Sequence, residues 1–514
     1  MYIAPNSTIK ILRNVPLDPT YDHTIFFPTG NTGLDRQVAY FSGKAKYTFT
    51  EQSYQRVNRG WIRLAALADN LYDCNYLMFQ NTNFGSKWFY AFIKSVEYIN
   101  NAVCEVQYEI DVIQTWNNNY TLEMCYIERQ HTLTDELFEN TVIEDLNLGN
   151  TYVSNGKSDF DMNEMELCIL HDREANGDGS ILDNVYIPIR FSSGLSINDA
   201  NLNAIEAYID SIGYDKIIAV YQYPAFMRGT QPEPAPTEGI ALLVNSSIDG
   251  YTPINKKLFS YPYNLIYVSN NCGQSAEFKW ELFSSAVSSI ARFNVTGTYV
   301  NSPCAICYPH NYRGITEDYE DGITYTNFPV CAFSDDTFKT WWSENKHSFV
   351  TAGITSAISG AVFPMLLSSQ PELALASGAI SIASSTANSL AKVEDIKSQP
   401  NQTHGQVQTD CLNGHLGRIS FSFYKLSIKQ EYARIIDDYF TRYGYAIKRN
   451  AVPIRNARPH WTYIKTIGCT LTGSIPADDV SKICGIYDHG ITFWNNPSEV
   501  GNYSLNNSPT VVPV

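Results

Sequence analysis

The amino-acid sequence predicts a mainly β fold with interspersed α+β elements, and three observations carry that prediction. Aromatic residues make up 13% of the chain, including 35 Tyr, and aromatic side chains favour half-buried strands. Within residues 87–116 two strand-like runs flank Asn100-Asn101, and the second run alternates polar and apolar side chains, which is the pattern of a β-hairpin. Strand-like runs return between residues 240 and 334.

Size and charge exclude several classes of protein. The chain has 514 residues, enough for roughly two to four domains, and its 44% hydrophobic content excludes a disordered protein. The net charge of −16 argues against a surface that grips phosphate backbones, but it does not exclude proximity to DNA, because an acidic wall lets DNA slide without binding. The odd number of cysteines, eleven, predicts reduced thiols rather than a disulfide framework. The N-terminus, MYIAPNSTIKILRNVPLD, lacks an apolar core after a basic start, so we expect no secretory signal peptide.

The second strand of the predicted hairpin has one apolar and one acidic face. Side chains alternate across a strand, so one face receives Val106, Tyr108, Ile110 and Val112 and the other receives Glu105, Gln107, Glu109 and Asp111. An ordinary solvated sheet face explains this pattern. The sharper alternative is the wall of a water-filled channel, with Glu105, Glu109 and Asp111 as candidate lining residues.

Further elements follow in chain order. Apolar residues at helical spacing predict a helix over Ser196–Gly213, and a buried strand follows at DKIIAVYQYPAF. The Pro-rich stretch Arg228–Gly239 predicts a linker or long loop. Strands are predicted at IALLVN, NLIYVSN, EFKWELF and NVTGTYV, an amphipathic helix over Gln430–Ile447, and an extended tail after Trp494. The strand-rich blocks near 36–116 and 240–334 have the size of two copies of one barrel, but the pattern alone does not establish this.

No motif supports catalysis or metal binding. The CAIC motif at Cys304–Cys307 reads as a strand, whose residues three apart face opposite sides and chelate poorly. Residues 172–183 partly fit a calcium loop through Asp172, Glu174, Asn176, Gly177 and Asp183, yet lack the bidentate Glu at the last position, so a polar turn is favoured. The carboxylates of EDYEDG at 317–322 are expected in a solvated loop. We therefore predict a protein that is not an enzyme and has no cofactor or metal.

The most unusual feature is the stretch from His347 to Ala391, which carries one formal charge, Glu372, where about eight would be expected from the composition. Pro364 and Pro371 divide it into Phe349–Leu367 and Leu373–Leu390, each about 27–29 Å long as a helix and close to the thickness of a bilayer core. The apolar residues that we expect to be membrane-active are Phe349, Ile354, Ile358, Val362, Phe363, Pro364, Leu366, Leu367, Leu373, Leu375, Ile380, Ile382 and Leu390. Small residues spaced four apart would allow close helix packing, namely Gly353, Ala357, Ala361, Ala379, Ala383 and Ala387.

Three explanations fit this segment: a buried pair of core helices, a permanent transmembrane hairpin, and an element that is sheltered first and inserts into a membrane later. The many Ser, Thr, Ala and Gly residues lower the insertion tendency below that of a Leu-rich span. We therefore favour the conditional element.

Several strings give the chain a family resemblance. They are NYLMFQNTNFGSKWFYAF (Asn75–Phe92), YEIDVIQTW (Tyr108–Trp116), EYARIIDDYFTRYGYAI (Glu431–Ile447), the stretch Pro459–Asn507 and KKLFSYPYN (Lys256–Asn264). In these strings the chain resembles the distal tail knob protein of small short-tailed bacteriophages, podoviruses of the Picovirinae type.

The resemblance implies a fold and a function. It implies two tail-tube-like β-barrels per subunit, a homo-hexameric ring or tube that conducts the double-stranded genome without binding it, and a long hydrophobic loop that plugs the tube and enters the host membrane. It divides the chain into a first barrel (1–130), a mixed α/β region (131–238), a second barrel (239–334), the plug loop (335–410) and a C-terminal α+β region (411–514). It implies a virion protein of the distal tail that contacts other tail proteins and is assembled in the host cytoplasm. The alternatives are a pore-forming toxin or effector and a receptor-binding adhesin of the tail.

Overall fold

The fold is mainly β, as the sequence predicts. The computed structural model describes residues 6–52, 60–82, 85–162, 164–172, 182–190, 207, 210–211, 217–227, 238–283, 290–298, 304–326, 330–332, 406–408 and 419–509. Within them the chain forms two compact units. Unit 1 comprises Met1–Leu148, Tyr251–Leu258 and Gln430–Val514, and unit 2 comprises Gly149–Gly250 and Phe259–Lys429.

The first part of the chain supplies the strands β1 (Ser7–Arg13), β2 (Thr24–Ile25), β3 (Ala45–Gln52), β4 (Trp61–Leu64), β5 (Cys74–Asn81), β6 (Trp88–Asn100), β7 (Val103–Ile110), β8 (Tyr120–Leu122) and β9 (Cys125–Gln130), with the helices α1 (Asn31–Gly43) and α2 (Val112–Trp116). The middle supplies β10 (Tyr152–Asp161), β11 (Glu164–Asp172), β12 (Leu182–Arg190), β13 (Ile217–Pro224), β14 (Glu238–Leu243), β15 (Asn264–Ser269), β16 (Ser275–Phe278), β17 (Ile290–Thr298), β18 (Cys304–His310), β19 (Ile323–Tyr325) and β20 (Val330–Ala332). The last part supplies β21 (Gln406–Gln408), β22 (Ser420–Ile428), α3 (Gln430–Tyr443), β23 (Tyr445–Ala451), β24 (Trp461–Ile467), β25 (Leu471–Gly473), α4 (Ala477–His489) and β26 (Ile491–Trp494).

Unit 1 contains three sheets. A six-stranded sheet has the order β3-β1-β5-β6-β7-β4, a five-stranded sheet the order β2-β26-β24-β9-β23, and β25 pairs with β8. Because β9 pairs with both β23 and β24, residues from both ends of the chain share one sheet. Unit 2 contains the sheets β10-β22-β15-β16, β12-β11-β13-β20-β21 and β14-β17-β18-β19.

The six-stranded sheet is buried on both faces over its central strands. Along β5, Leu77 and Phe79 join one hydrophobic cluster, whereas Tyr76 and Met78 join the cluster on the opposite face. Helix α1 covers that second face, where Phe41 stacks on Tyr76 with ring centroids 5.3 Å apart. Burial on both faces explains why YLMF reads as a continuous apolar run rather than an alternating one.

Several predicted elements need correction at their ends. The helix predicted over Gln430–Ile447 ends at Tyr443, because Gly444 adopts a φ of +66° and the chain turns into β23. The run EFKWELF is a strand only to Phe278, and Trp280–Leu282 form a 3₁₀ turn. Strand β13 falls where a buried strand was predicted. Of the helix predicted over Ser196–Gly213, only residues 207, 210 and 211 are described, and they are helical.

Candidate channel surface

The predicted hairpin exists, with its turn one residue later than expected. Strands β6 and β7 pair antiparallel, and the turn residues are Asn101 and Ala102. Val106 and Tyr108 are buried in the core cluster, while Glu109 is exposed. The period-two pattern therefore identifies the faces of β7 correctly.

The outer face of this hairpin is close to electroneutral. Glu105 forms an ion pair with Arg63 at 3.4 Å, and Glu109 forms one with Lys94 at 2.8 Å. Glu97 lies opposite Glu105 in the strand register and adds one further negative charge. Three carboxylates and two cations leave a local net charge of −1, so the surface is weakly acidic and not a strongly negative wall.

Asp111 does not lie on that face, so its prediction as a lining residue is wrong. The strand ends at Ile110, and Asp111 begins α2 as its N-cap, accepting a hydrogen bond from the Gln114 backbone N–H at 3.0 Å. Its side chain is 1% exposed and accepts a hydrogen bond from the Tyr76 hydroxyl at 2.9 Å. Burial raises the pKa of Asp111 to about 6, although these two hydrogen bonds oppose the shift.

The residues after Asp111 tie the hairpin to the rest of unit 1. The Gln114 amide donates to the Ile25 carbonyl at 2.8 Å, and the Thr115 hydroxyl accepts from the Tyr90 N–H at 3.0 Å. The Trp116 indole donates to the Asp479 carboxylate at the start of α4 at 2.9 Å. The string YEIDVIQTW is therefore a junction that fixes β6, β2 and α4 relative to the candidate surface.

A buried ionic cluster lies within unit 1. Glu144 is 5% exposed and pairs with Lys257, 2% exposed, at 2.5 Å, and also with Arg129. The Glu144 carboxylate also accepts a hydrogen bond from the Ala446 N–H at 3.0 Å. Burying these charges costs desolvation free energy. Breaking the cluster is nevertheless strongly destabilising, because removing one partner leaves a buried uncompensated charge.

Asp437 holds the short segment Tyr251–Leu258 in unit 1. Its carboxylate accepts hydrogen bonds from the Tyr251 hydroxyl at 2.7 Å, from the Ile254 N–H at 2.8 Å, and from the backbone N–H and side-chain amide of Asn255 at 3.0 and 2.8 Å. The residues just before the string KKLFSYPYN are thus anchored by a carboxylate that lies 182 residues after Asn255 in the chain. Sequence reasoning missed this role.

His131 is a second buried polar group that sequence reasoning missed. Its Nδ1 accepts a hydrogen bond from the Tyr463 N–H at 2.8 Å, so its Nε2 carries the proton and donates to the Thr441 carbonyl at 3.1 Å. Burial, together with the positive charge of Arg458, lowers the pKa of His131 to about 3. The ring therefore stays neutral at the pH of the cell.

The motifs weighed for chemistry are structural where the structure describes them. Cys304 and Cys307 lie on β18, with only Cys307 buried, and burial raises the pKa of both thiols. In the run 317–322, Asp318 is buried and the other carboxylates reach solvent to varying extents. Most of the candidate calcium loop, residues 173–181, lies outside the described residues. Among the side chains that are described, no group of three or more His, Cys, Asp or Glu could hold a metal ion.

The predicted membrane-active and small residues between Phe349 and Leu390 all lie outside the described residues, as does most of the predicted loop 335–410. Of that loop, only Gln406–Gln408 is described, and it forms β21 at the edge of a sheet in unit 2. Among the helices that the structure describes, none has both the length and the hydropathy that crossing a membrane requires.

Two family models match the chain. The model for the C-terminal domain of tail knob protein gp9 of Bacillus phage phi29 matches residues 237–508, more than half of the chain. The model for the N-terminus of caudoviral major tail proteins matches residues 5–121, which include the candidate hairpin.

Individual relatives and a solved structure agree with these models. The chain is 26% identical to the tail knob proteins gp9 of Bacillus phages PZA and B103, and 25% identical to that of phage phi29. Each alignment covers 98% of this chain and 99% of the relative. The structure of the bacteriophage C1 tail knob protein gp12 superimposes with a TM-score of 0.63 over 98% of this chain and 99% of that one. At 14% identity, this last likeness shows a shared fold.

Proposed function

The chain belongs to the family of phi29-type tail knob proteins, and on that premise we propose that it builds a hexameric channel for genome ejection. It is a structural component of the phage tail, and the prediction that it is not an enzyme is confirmed by its tail knob relatives. Those relatives are virion proteins and not secreted toxins, so the toxin alternative is set aside.

The channel proposal is supported by the net charge of the chain. Six copies with a net charge of −16 would carry about 96 negative charges, which keeps a polyanion from binding to the protein. Glu105 and Glu109 are retained as lining candidates, and Asp111 is not. Their pairing with Arg63 and Lys94 makes the face weakly charged, so it would neither bind phosphate nor repel it strongly.

The membrane role is carried by one observation, the near absence of charge between His347 and Ala391. A stretch of this length with a single formal charge, two halves of near-bilayer length and small residues four apart suits a hairpin that can leave water and enter lipid. We therefore assign the plug and pore function of the proposed channel to residues 335–410.

Dye release from liposomes tests this assignment. We expect the full chain, and a peptide covering 348–392, to release dye from vesicles of anionic and zwitterionic lipid. Ile358→Lys places a charge at the centre of the half Phe349–Leu367 and should reduce release about tenfold or more, because a central Lys costs about 2.5–3.5 kcal/mol to insert. The matched control is Leu133→Lys at a leucine that is 56% exposed in unit 1, which should leave release unchanged. Equal release by both variants, or an inert peptide and chain, would contradict the membrane role.

A further inference from the structure

Three cysteines meet in unit 1 outside the candidate channel surface. Cys125 opens β9, Cys469 follows β24 by two residues, and Cys484 lies in α4. The strands hold the first two together, since Tyr126 and Ile467 are register partners. The Glu123 N–H also donates to the Thr470 carbonyl at 2.9 Å, on the other side of the same pair.

Asp488 brings the third cysteine to the same place. Its carboxylate accepts hydrogen bonds from the Thr466 hydroxyl at 2.7 Å, the Cys469 N–H at 3.0 Å and the Gly468 N–H at 3.2 Å. These bonds dock the last turn of α4 on the chain that follows β24. Cys484 is four residues before Asp488, so it lies on the same helix face, one turn back, and faces the same turn.

The thiols differ in access and are all held protonated. Burial raises the pKa of Cys125, Cys469 and Cys484, and the pKa of Cys469 is raised further by the neighbouring thiols of Cys484 and Cys125. The Asp488 carboxylate acts in the same direction on each of them. Cys484 is partly exposed, whereas the other two are buried. A reagent from solution would therefore reach Cys484 first and react slowly, because the thiolate is the nucleophile.

We propose that Cys469 and Cys484 form a disulfide when the protein meets an oxidising medium containing small-molecule disulfides. The Cys484 thiolate attacks an external disulfide and releases one thiol, and the Cys469 thiolate then attacks the Cys484 sulfur and releases the second. The two cysteines lose two electrons and two protons in total, and the external disulfide becomes two thiols. The timing, reduced during assembly and oxidised after release of the particle, rests on the proposed virion function, but the bond itself does not.

The bridge would stabilise the C-terminal part of unit 1. It closes a loop of about 15 residues that contains β25 and most of α4. A loop of this size is worth about 3 kcal/mol and should raise the midpoint of thermal unfolding by roughly 6–12 °C.

Oxidation of the purified full chain by oxidised glutathione tests the proposal. Peptide mapping without reductant should recover a linked Cys469–Cys484 peptide, and thiols titrated in denaturant should fall by two from the eleven of the reduced chain. The rate of disulfide formation should rise about tenfold for each pH unit between pH 7 and 9, because below the thiol pKa the thiolate fraction rises by that factor. Cys484→Ser should abolish the bridge, whereas Cys125→Ser and Cys304→Ser should keep it.

A Cys125–Cys469 bridge, a glutathione adduct on Cys484 that never resolves, or no loss of thiols would each overturn the proposal. Mapping of the unsubstituted chain decides the matter even if a variant does not fold. None of these outcomes bears on whether the chain forms a ring, so failure here and failure of the channel proposal are distinguishable.

Discussion

Acidification should destabilise unit 1 through His131. The ordinary pKa of histidine is 6.5, and in the folded protein the pKa of His131 is lowered to about 3. Between these values the unfolded chain binds a proton that the folded chain does not, so the free energy of unfolding falls as the pH falls. Each pH unit of this window is worth about 1.4 kcal/mol, so the full window is worth about 4–5 kcal/mol. That is a large fraction of the stability of a typical domain, about 5–15 kcal/mol.

The perturbation that isolates this effect is His131→Gln, which does not titrate. At pH 7 the variant should lose about 1–3 kcal/mol, because either the Tyr463 N–H or the Thr441 carbonyl loses its partner. From pH 7 to pH 4, however, it should lose about 3 kcal/mol less than the unsubstituted protein. Urea unfolding, monitored by hydrogen exchange of unit 1 peptides, measures both quantities, with His489→Gln at an exposed histidine as the surface control. Parallel loss of stability in the two proteins would refute the reasoning.

Three further predictions concern the same unit, and urea unfolding measures each. Asp111 should make the free energy of unfolding depend on pH with the opposite sign to His131. Its pKa is raised from 3.8 to about 6 in the folded protein, so the protein loses up to about 3 kcal/mol of stability as the pH rises from 4 to 7. Asp111→Asn should remove this loss, and an unchanged pH profile in the variant would contradict the prediction. Gly444→Ala should cost about 2–4 kcal/mol, because φ is +66° and the new Cβ would collide with the backbone of Gln130, whereas Gly485→Ala, in open space within α4, should stabilise by about 0.5–1 kcal/mol. Asp437→Asn should cost about 2–4 kcal/mol and speed exchange of the Ile254 and Asn255 amides, whereas its exposed neighbour, changed by Asp438→Asn, should cost less than about 1 kcal/mol. Equal effects of the two Asp variants would count against the anchoring role.

Sequence patterns predicted the elements that depend only on residues close together in the chain. The hairpin β6–β7 follows from period-two alternation in its second strand and from the turn predicted at Asn100-Asn101, which the structure places one residue later. Alternation failed at Asp111 because the sequence keeps alternating for two residues after the strand has ended. Asp111 and Gln114 have the spacing of an N-cap residue and a Gln at the third position of the helix. This capping pattern was the sequence signal for the start of α2.

The buried polar groups were not predictable in the same way. Glu144 and Lys257 are 113 residues apart, and Asp437 and Asn255 are 182 apart, so no local periodicity links them. Charged residues are mostly exposed, and nothing in the strings around Glu144 or Lys257 signals burial. Their partners are fixed by how β9, β23 and α3 meet the segment 251–258, which only the fold reveals.

The family match supports the assignment of function more strongly than any single residue does. The matched models cover residues 5–121 and 237–508, and the string KKLFSYPYN falls in the second of them. Its Lys257 is buried against Glu144, so this string, noticed first as a family resemblance, also has a structural explanation.

The proposed channel requires this chain to assemble into a six-fold ring with an axial opening. Electron microscopy of the purified full chain, with mass photometry on the same sample, measures this directly across a range of concentrations and after limited proteolysis within residues 335–410. We expect rings of six subunits with an open or plugged centre. Monomers alone under every condition, or rings of another order, would contradict it.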